Sequence, residues 1–212
     1  MNISDLQKLT DWLIDGARSA ANPPRMMAET CERMVQAGLP LWRVGVFIQT
    51  LHPDIFGRNF IWRAGEEVEI GTVDFGVVDS LGFMSSPLAI VFTEGKEVRG
   101  RLDELQSERF PIFADLHAEG VTDCIALPLL FIDGSIHASN WTTKQPGGFS
   151  NQQLSALRSL IPPLAVTSEA RWPELPDTPM PWRRSWMVTS GRPPTHLMNG
   201  LAISFTPNCA EH

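Results

Sequence analysis

The side chains best suited to chemistry here are five histidines, three cysteines and several tryptophans with polar neighbours. His52, His117, His137, His196 and His212 form no HxxxH or HExxH pattern, so no helix face is set to hold zinc. His52, followed by Pro53, reads as a loop residue without a positioned partner for acid–base work. Cys31, Cys124 and Cys209 are odd in number and far apart, which gives neither a CxxC metal pair nor a disulfide framework. Ser85-Ser86-Pro87 lacks the flanking glycines of a nucleophile elbow, and Gly147-Gly148 lacks the lysine of a phosphate loop and reads as a turn. Arg99 and Arg101, near Glu94, Glu97 and Asp103, read as a solvated charged face. No catalytic residue, metal ligand or cofactor is expected. What remains is a candidate ligand-binding set: Trp62 with Arg63, and His137, Asn140 and Trp141. Aromatic walls beside a few polar groups are what a small-molecule pocket needs, and equally what a packed sheet face can contain. A pocket lined by Trp62, His137 and Trp141 argues for sensing; a filled core there argues for a purely structural module.

These residues must be positioned by an α+β framework. Ser4 and Gln7 have capping-box spacing, and Leu6, Leu9, Leu13 and Ala17 then recur on one helical face. Asn22 and Pro23 open a second helix with Met27, Cys31, Met34 and Val35 as its apolar stripe, and Gly38 ends it. From Leu41 the period becomes two: Val44, Val46 and Ile48 alternate with Arg43, Phe47 and Gln49. Phe60 to Arg63 and Val68 to Ile70 read as strands joined by a turn, and Leu88 to Phe92 as a short apolar strand. Phe110 to Gly120 reads as a short helix. Cys124 to Phe131 and Ser135 to Thr142 form a hairpin around Asp133-Gly134, with Pro128 marking an edge, bulge or interruption. His137, Ser139 and Trp141 alternate onto one face of it. Ser150 and Gln153 repeat the capping box, with Phe149 and Leu154 as hydrophobic staple, and Leu154, Leu157, Leu160 and Ile161 follow at helical spacing until Pro162-Pro163 must kink or restart the chain.

The bulk numbers limit the partners. A net charge of −7 with no run of five like charges argues against a nucleic-acid face. No apolar stretch approaches the ~20 residues of a membrane helix, and no secretory leader opens the chain, so a soluble cytoplasmic protein is expected. Seven of the 17 prolines follow Arg171, where both periodicities stop. The chain therefore divides into a domain over residues 1–170 and an irregular tail over 171–212 containing Trp172, Trp182 and Trp186.

Several local runs are more specific than element order. Gly38-Leu39-Pro40-Leu41-Trp42-Arg43-Val44 with Thr50-Leu51-His52-Pro53, then Phe60-Ile61-Trp62-Arg63 with Gly65-Glu66, resemble the GAF-like N-terminal region of rhizobial-type class III adenylate/guanylate cyclases. So do Glu119-Gly120-Val121-Thr122-Asp123 leading to Ala126-Leu127-Pro128-Leu129, and Trp141-Thr142-Thr143-Lys144-Gln145-Pro146-Gly147-Gly148-Phe149-Ser150. Together they span roughly residues 6–165, in the family's order. The resemblance implies a GAF-like antiparallel sheet flanked by N- and C-terminal helices, in a non-catalytic regulatory domain whose last helix leads toward a cyclic-nucleotide-forming domain. A small-molecule ligand and a homodimer, paired through Leu6, Leu9 and Leu13 and through Leu154, Leu157 and Ile161, are the expected partners. Two departures stand out: no metal-binding aspartate segment follows Pro163, and position 124 holds Cys where the family leads one to expect an aromatic. The first suggests a cyclase truncated before its catalytic domain. In the tail, Trp172-Pro173-Glu174-Leu175 read one nucleotide out of register with permissive codons encodes Leu-Ala-Arg-Thr, which resembles the family's connector. The alternative is a ligand-free dimerisation module left by a degenerate gene. Methionine-sulfoxide reduction, which needs clustered reactive cysteines, and bilin attachment, which uses Cys beside His, have no matching residues.

Overall fold

A computed structural model describes residues 3–50, 55–102 and 110–171. Two helices, α1 (Ile3–Ile14) and α2 (Pro23–Gln36), precede β1 (Arg43–Gln49), β2 (Gly57–Arg63) and β3 (Glu69–Val73). Three short helices follow, α3 (Phe75–Val78), α4 (Leu81–Met84) and α5 (Pro87–Glu94), then β4 (Val98–Arg101), α6 (Pro111–Ala118), the hairpin β5 (Asp123–Leu130) and β6 (Ile136–Thr143), and the long α7 (Asn151–Arg171). The six strands form one sheet in the order β3-β2-β1-β6-β5-β4, every pair antiparallel. The architecture is the expected α+β: an antiparallel sheet flanked by the terminal helices.

The end signals act as their chemistry predicts. Asn22 Oδ1 accepts the Arg25 N–H at 2.9 Å, and Pro23 sits where a missing N–H costs nothing. Before α7, the Ser150 N–H donates to Gln153 Oε1 (2.8 Å) and the Gln153 N–H to Ser150 Oγ (3.3 Å), a complete capping box. Phe149 and Leu154, the staple pair, are both buried in the core. At the amino end the box does not form: Ser4 lies within α1, and Gln7 donates to Asp11 instead. Helix α7 continues through Pro162 and Pro163 rather than restarting, and ends with the Arg171 guanidinium donating to the Ala20 carbonyl at 2.8 Å. The expected tail beyond it lies outside the described residues.

Two expectations are corrected. Leu88 to Phe92 is the body of α5, not a strand; Ser86 caps the Ala89 N–H, Pro87 follows at the first position, and Gly95 closes the helix. A short apolar run has no period that separates a buried strand from a buried helix, and here the caps decide. Arg99 is not on a solvated face. It lies on β4 and grips Asp123, which is fully buried, through Nε (3.1 Å) and Nη2 (2.5 Å). Pro128 is tolerated in β5 because β4 ends with the pair Val98↔Ala126, so no β4 residue stands opposite it.

Helices α1, α2 and α7 cover one face of the sheet and share a single core containing Leu9, Leu13, Met34, Val44, Trp62, Trp141, Leu157 and Leu160. The stripes expected to meet a second copy are consumed there: Leu9, Leu13, Leu154, Leu157 and Ile161 are buried within the monomer, and Leu6 packs against the same core. Val35, expected in the stripe of α2, is exposed. Helices α3 to α6 cover the second face, over two smaller apolar clusters.

Candidate ligand site on the second face of the sheet

Strand alternation separates the five candidate residues. Trp141 and Trp62 both stand opposite Val44, in one cross-sheet row on the helix-covered face. Trp141 is 1% exposed and donates its indole N–H to Ser139 Oγ at 2.9 Å, so its one polar atom is satisfied inside the core. His137 occupies the same face near the end of β6. Its Nδ1 accepts the Gln49 N–H at 3.0 Å, its Nε2 lies 2.9 Å from Ser135 Oγ, and its ring packs edge-on against Phe131 at 4.0 Å. Because Nδ1 accepts, the proton sits on Nε2. Ser135 Oγ in turn donates to Asp133 Oδ1 at 2.6 Å. Asp, Ser and His thus stand in a chain, but the histidine donates to the serine oxygen instead of taking its proton, the reverse of a nucleophile–base pair. Burial pushes the His137 pKa down against the opposing pull of Asp133 and Glu169. These contacts close the hairpin.

Asn140 and Arg63 lie on the other face. Arg63 stands directly opposite Arg43 on the neighbouring strand and pairs with Glu69 at 2.7 Å near the sheet's margin. Asn140 lies toward the middle, and its Oδ1 accepts the Gly45 N–H at 3.0 Å. Any Cβ on residue 45 would lie 2.7 Å from that Oδ1 and 3.0 Å from the Phe47 ring, so glycine is what lets the carboxamide lie across β1. The row through Asn140 reads Ile61, Gly45, Asn140, Ala126, Val98, and Phe47 is paired with Ala138 two residues along. The floor beneath α5 is therefore built of small side chains.

Two cavities adjoin α5, the larger one over Ala126 and Asn140. One, about 20 Å³, is lined by Ser86, Leu88, Phe113, Leu116, Cys124 and Asn140, among others. The second, about 10 Å³, lies among Phe47, Phe56, Arg58, Val73, Phe83 and Phe92. Each has room for about one water as it stands. The ring volume expected at position 124 is missing where the larger cavity lies, and the Phe113 ring reaches the sheet over Gly100, where a Cβ would come within 2.4 Å of it. Sequence reasoning missed three features of this face: the Phe56 cluster, whose rings meet Phe75 and Phe92 edge-on at 6.0 and 5.9 Å; the polar Ser86; and Arg43. Arg43 is 2% exposed, pairs with Glu119 at 3.5 Å and stacks on Trp42 at 5.1 Å, and burial lowers its pKa. The alternation of Arg43 with Val44 already placed it opposite the helix-covered core. No cluster of three metal-ligating side chains occurs among the described residues, and no helix among them is long and apolar enough to cross a membrane.

No family model and no characterised protein matches the chain by sequence. Solved structures do match. The phycocyanobilin-bound GAF domain of a cyanobacterial phytochrome aligns with a TM-score of 0.50 at 14% identity, over 76% of this chain and 91% of that one. The fold is a GAF fold. The GAF domain of a phosphoenolpyruvate-protein phosphotransferase from Coxiella burnetii aligns equally well (TM-score 0.50, 14% identity, 78% of this chain and 93% of that one). So does the A. aeolicus nlh2 GAF domain in an inactive state (0.50, 10%, 78% and 96%). In this GAF fold the long α7 and the small-residue floor lie on opposite sides of one sheet.

Proposed function

We propose that the chain is a non-catalytic regulatory domain that senses a small molecule on the α5–α6 side of its sheet. The observation that carries this is the cavity over Ala126 and Asn140, on a row of small residues that also holds Gly45, while the sheet's other face is filled by large side chains. That a phytochrome domain of this fold holds phycocyanobilin supports a ligand role for the fold, without naming this chain's ligand. Of the five residues singled out in the sequence, Asn140 is the one given a ligand contact; Trp62, His137 and Trp141 pack the opposite face.

The route to an output is short. The buried Asp123 carboxylate, one residue before Cys124 of the cavity, holds Arg99 of β4 and the Phe149 N–H (2.9 Å) just before α7. Arg99 also donates to the Phe149 carbonyl at 3.1 Å. A ligand that shifts β5 against β4 moves the start of α7 through this knot. The resemblance of the quoted runs to the regulatory region of class III cyclases supports reading α7 as the output helix and cyclic-nucleotide signalling as the setting. Native mass spectrometry of the chain purified from its own host should show a retained small molecule. Ala126→Val, which fills the larger cavity, should lose it while keeping a native circular-dichroism spectrum. A wild-type chain that retains nothing, even after incubation with host extract, overturns the sensing reading.

The second reading, a ligand-free dimerisation module, draws on the filled core around Trp62, His137 and Trp141 and on the water-sized volume of both cavities. It also draws on apolar surface at the far end of α7: Val166, and Ile132, whose N–H donates to Glu169 at 2.8 Å, are both exposed. Sedimentation across about a hundredfold dilution should then show a dimer that dissociates; a monomer throughout removes this reading.

A further inference from the structure

Three polar side chains line the larger cavity, Ser86, Cys124 and Asn140, and all three present protons to it. Asn140 Oδ1 is engaged by the Gly45 N–H, which fixes the carboxamide with its NH2 directed away from β1; that NH2 has no acceptor among the described residues. Ser86, 5% exposed, accepts the Ala89 N–H at 3.3 Å as the cap of α5, and its own hydroxyl proton likewise has no acceptor among them. The Cys124 thiol, pushed up to about 12 by burial and then by the neighbouring Asp123 charge, stays protonated and is a weak donor. The rest of the wall among the described residues is hydrocarbon, from Pro87, Leu88, Ile112, Phe113, Leu116 and Ala126.

We infer that this cavity takes a neutral small molecule presenting a hydrogen-bond acceptor, a carbonyl oxygen or an unprotonated ring nitrogen, on an apolar body. The inference rests on the sensing reading above and names the ligand class for that site. An acceptor atom meets the unused N–H and O–H groups, whereas a ligand donor has only the second lone pairs of Asn140 Oδ1 and Ser86 Oγ, each already engaged by a backbone N–H, and would leave the NH2 unpaired. A carboxylate would leave water with no cation among the described residues of the wall to receive it, since Arg43, whose charge reaches Cys124, is held by Glu119. The space of about 20 Å³ fits the acceptor atom itself. The ligand's body displaces α6, an eight-residue helix whose first turn has no side-chain cap and which packs through Phe113 and Leu116.

The test uses two probes of nearly equal shape, acetophenone and ethylbenzene, titrated into the full chain and followed by 1H–15N NMR. Acetophenone should bind at least about tenfold more tightly, because a site built to hydrogen-bond rejects the analogue that leaves its polar groups unpaired. It should also shift the Asn140 side-chain amide resonances. Asn140→Asp keeps an oxygen for the Gly45 N–H but replaces the NH2 by an acceptor, and should abolish the preference. Ser86→Ala, which leaves Asn140 in place, should weaken acetophenone and spare ethylbenzene, so a misfolded aspartate variant does not remove the test. Equal binding of both probes at the cavity overturns the acceptor inference and leaves the sensing reading standing. Binding of neither also overturns it, and the sensing reading is then judged by the retained-molecule experiment.

Discussion

One residue apart on every strand, two rows cross the middle of the sheet and face opposite ways. Trp62, Val44, Trp141 and Ile125 point toward α1, α2 and α7; Ile61, Gly45, Asn140, Ala126 and Val98 point toward α5 and α6. The first row is volume, buried to 3% exposure or less, with the Trp141 indole N–H bonded to Ser139 inside the core. The second has small residues at its centre, a carboxamide with unused donors, and a cavity over Ala126 and Asn140. On the sensing reading proposed above, the helix-covered face is the rigid one and the other the adaptable one.

Truncation on the filled face should do the greatest damage. Trp141→Ala is expected to cost about 3–5 kcal/mol, because the surrounding core cannot collapse into the space of an indole; a chemical-denaturation midpoint near that of wild type would dissolve the contrast. Asp123→Ala should follow at about 3 kcal/mol, since it leaves the Arg99 guanidinium and the Phe149 N–H without their buried acceptor. It should also raise amide exchange at the start of α7, which tests the knot directly. On the adaptable face, Ala126→Val should change stability by less than about 1 kcal/mol, because the added methyls enter existing space; overpacking a filled core costs about 1–3 kcal/mol. A loss above that range would mean the floor is as tightly packed as the row behind it.

Acid should act through the rigid side. The folded-state pKa of His137 lies below its ordinary value of 6.5, so the unfolded chain binds a proton more readily. Stability should be flat above that value and fall as pH drops through it. On protonation Nδ1 gains a proton and no longer accepts the Gln49 N–H. The groups facing the ring are Asp133 and Glu169, whose charges oppose the effect of burial and keep it modest. His137→Gln should flatten this part of the pH profile; an unchanged profile would remove the imidazole as its source. The smallest effect is expected at Arg158 of α7, which makes two 2.8 Å bonds to Glu97 on the surface. Both side chains are more than 40% exposed, and Glu97→Gln should cost no more than about 0.5 kcal/mol.

Much of the frame was legible in local signals. The capping box at Ser150 and Gln153 and the turn at Asp133-Gly134, where Gly134 has φ of +86°, involve residues within a few positions of each other, so their chemistry is complete in the sequence. The alternation through β1 and β6 likewise put Val44 and Trp141 on faces that the structure keeps. What was not legible depends on residues far apart. Arg99 looked like a surface charge because its partner Asp123 is 24 positions away and becomes its neighbour when β4 pairs with β5.

The sequence by itself determined the helices that carry caps, the strands that alternate, and the split of His137 and Trp141 from Asn140 onto opposite faces, because a period of two is a property of the chain alone. It could not say which face would be filled. That depended on where α1, α2 and α7 packed, and on α5 and α6 lying over the other face. The tertiary structure alone decided that the tryptophans are core, and that Gly45, Asn140 and Ala126, drawn from three strands, make one floor. A cavity is the difference between the volume that elements enclose and the volume their side chains fill, and only the assembled elements define it.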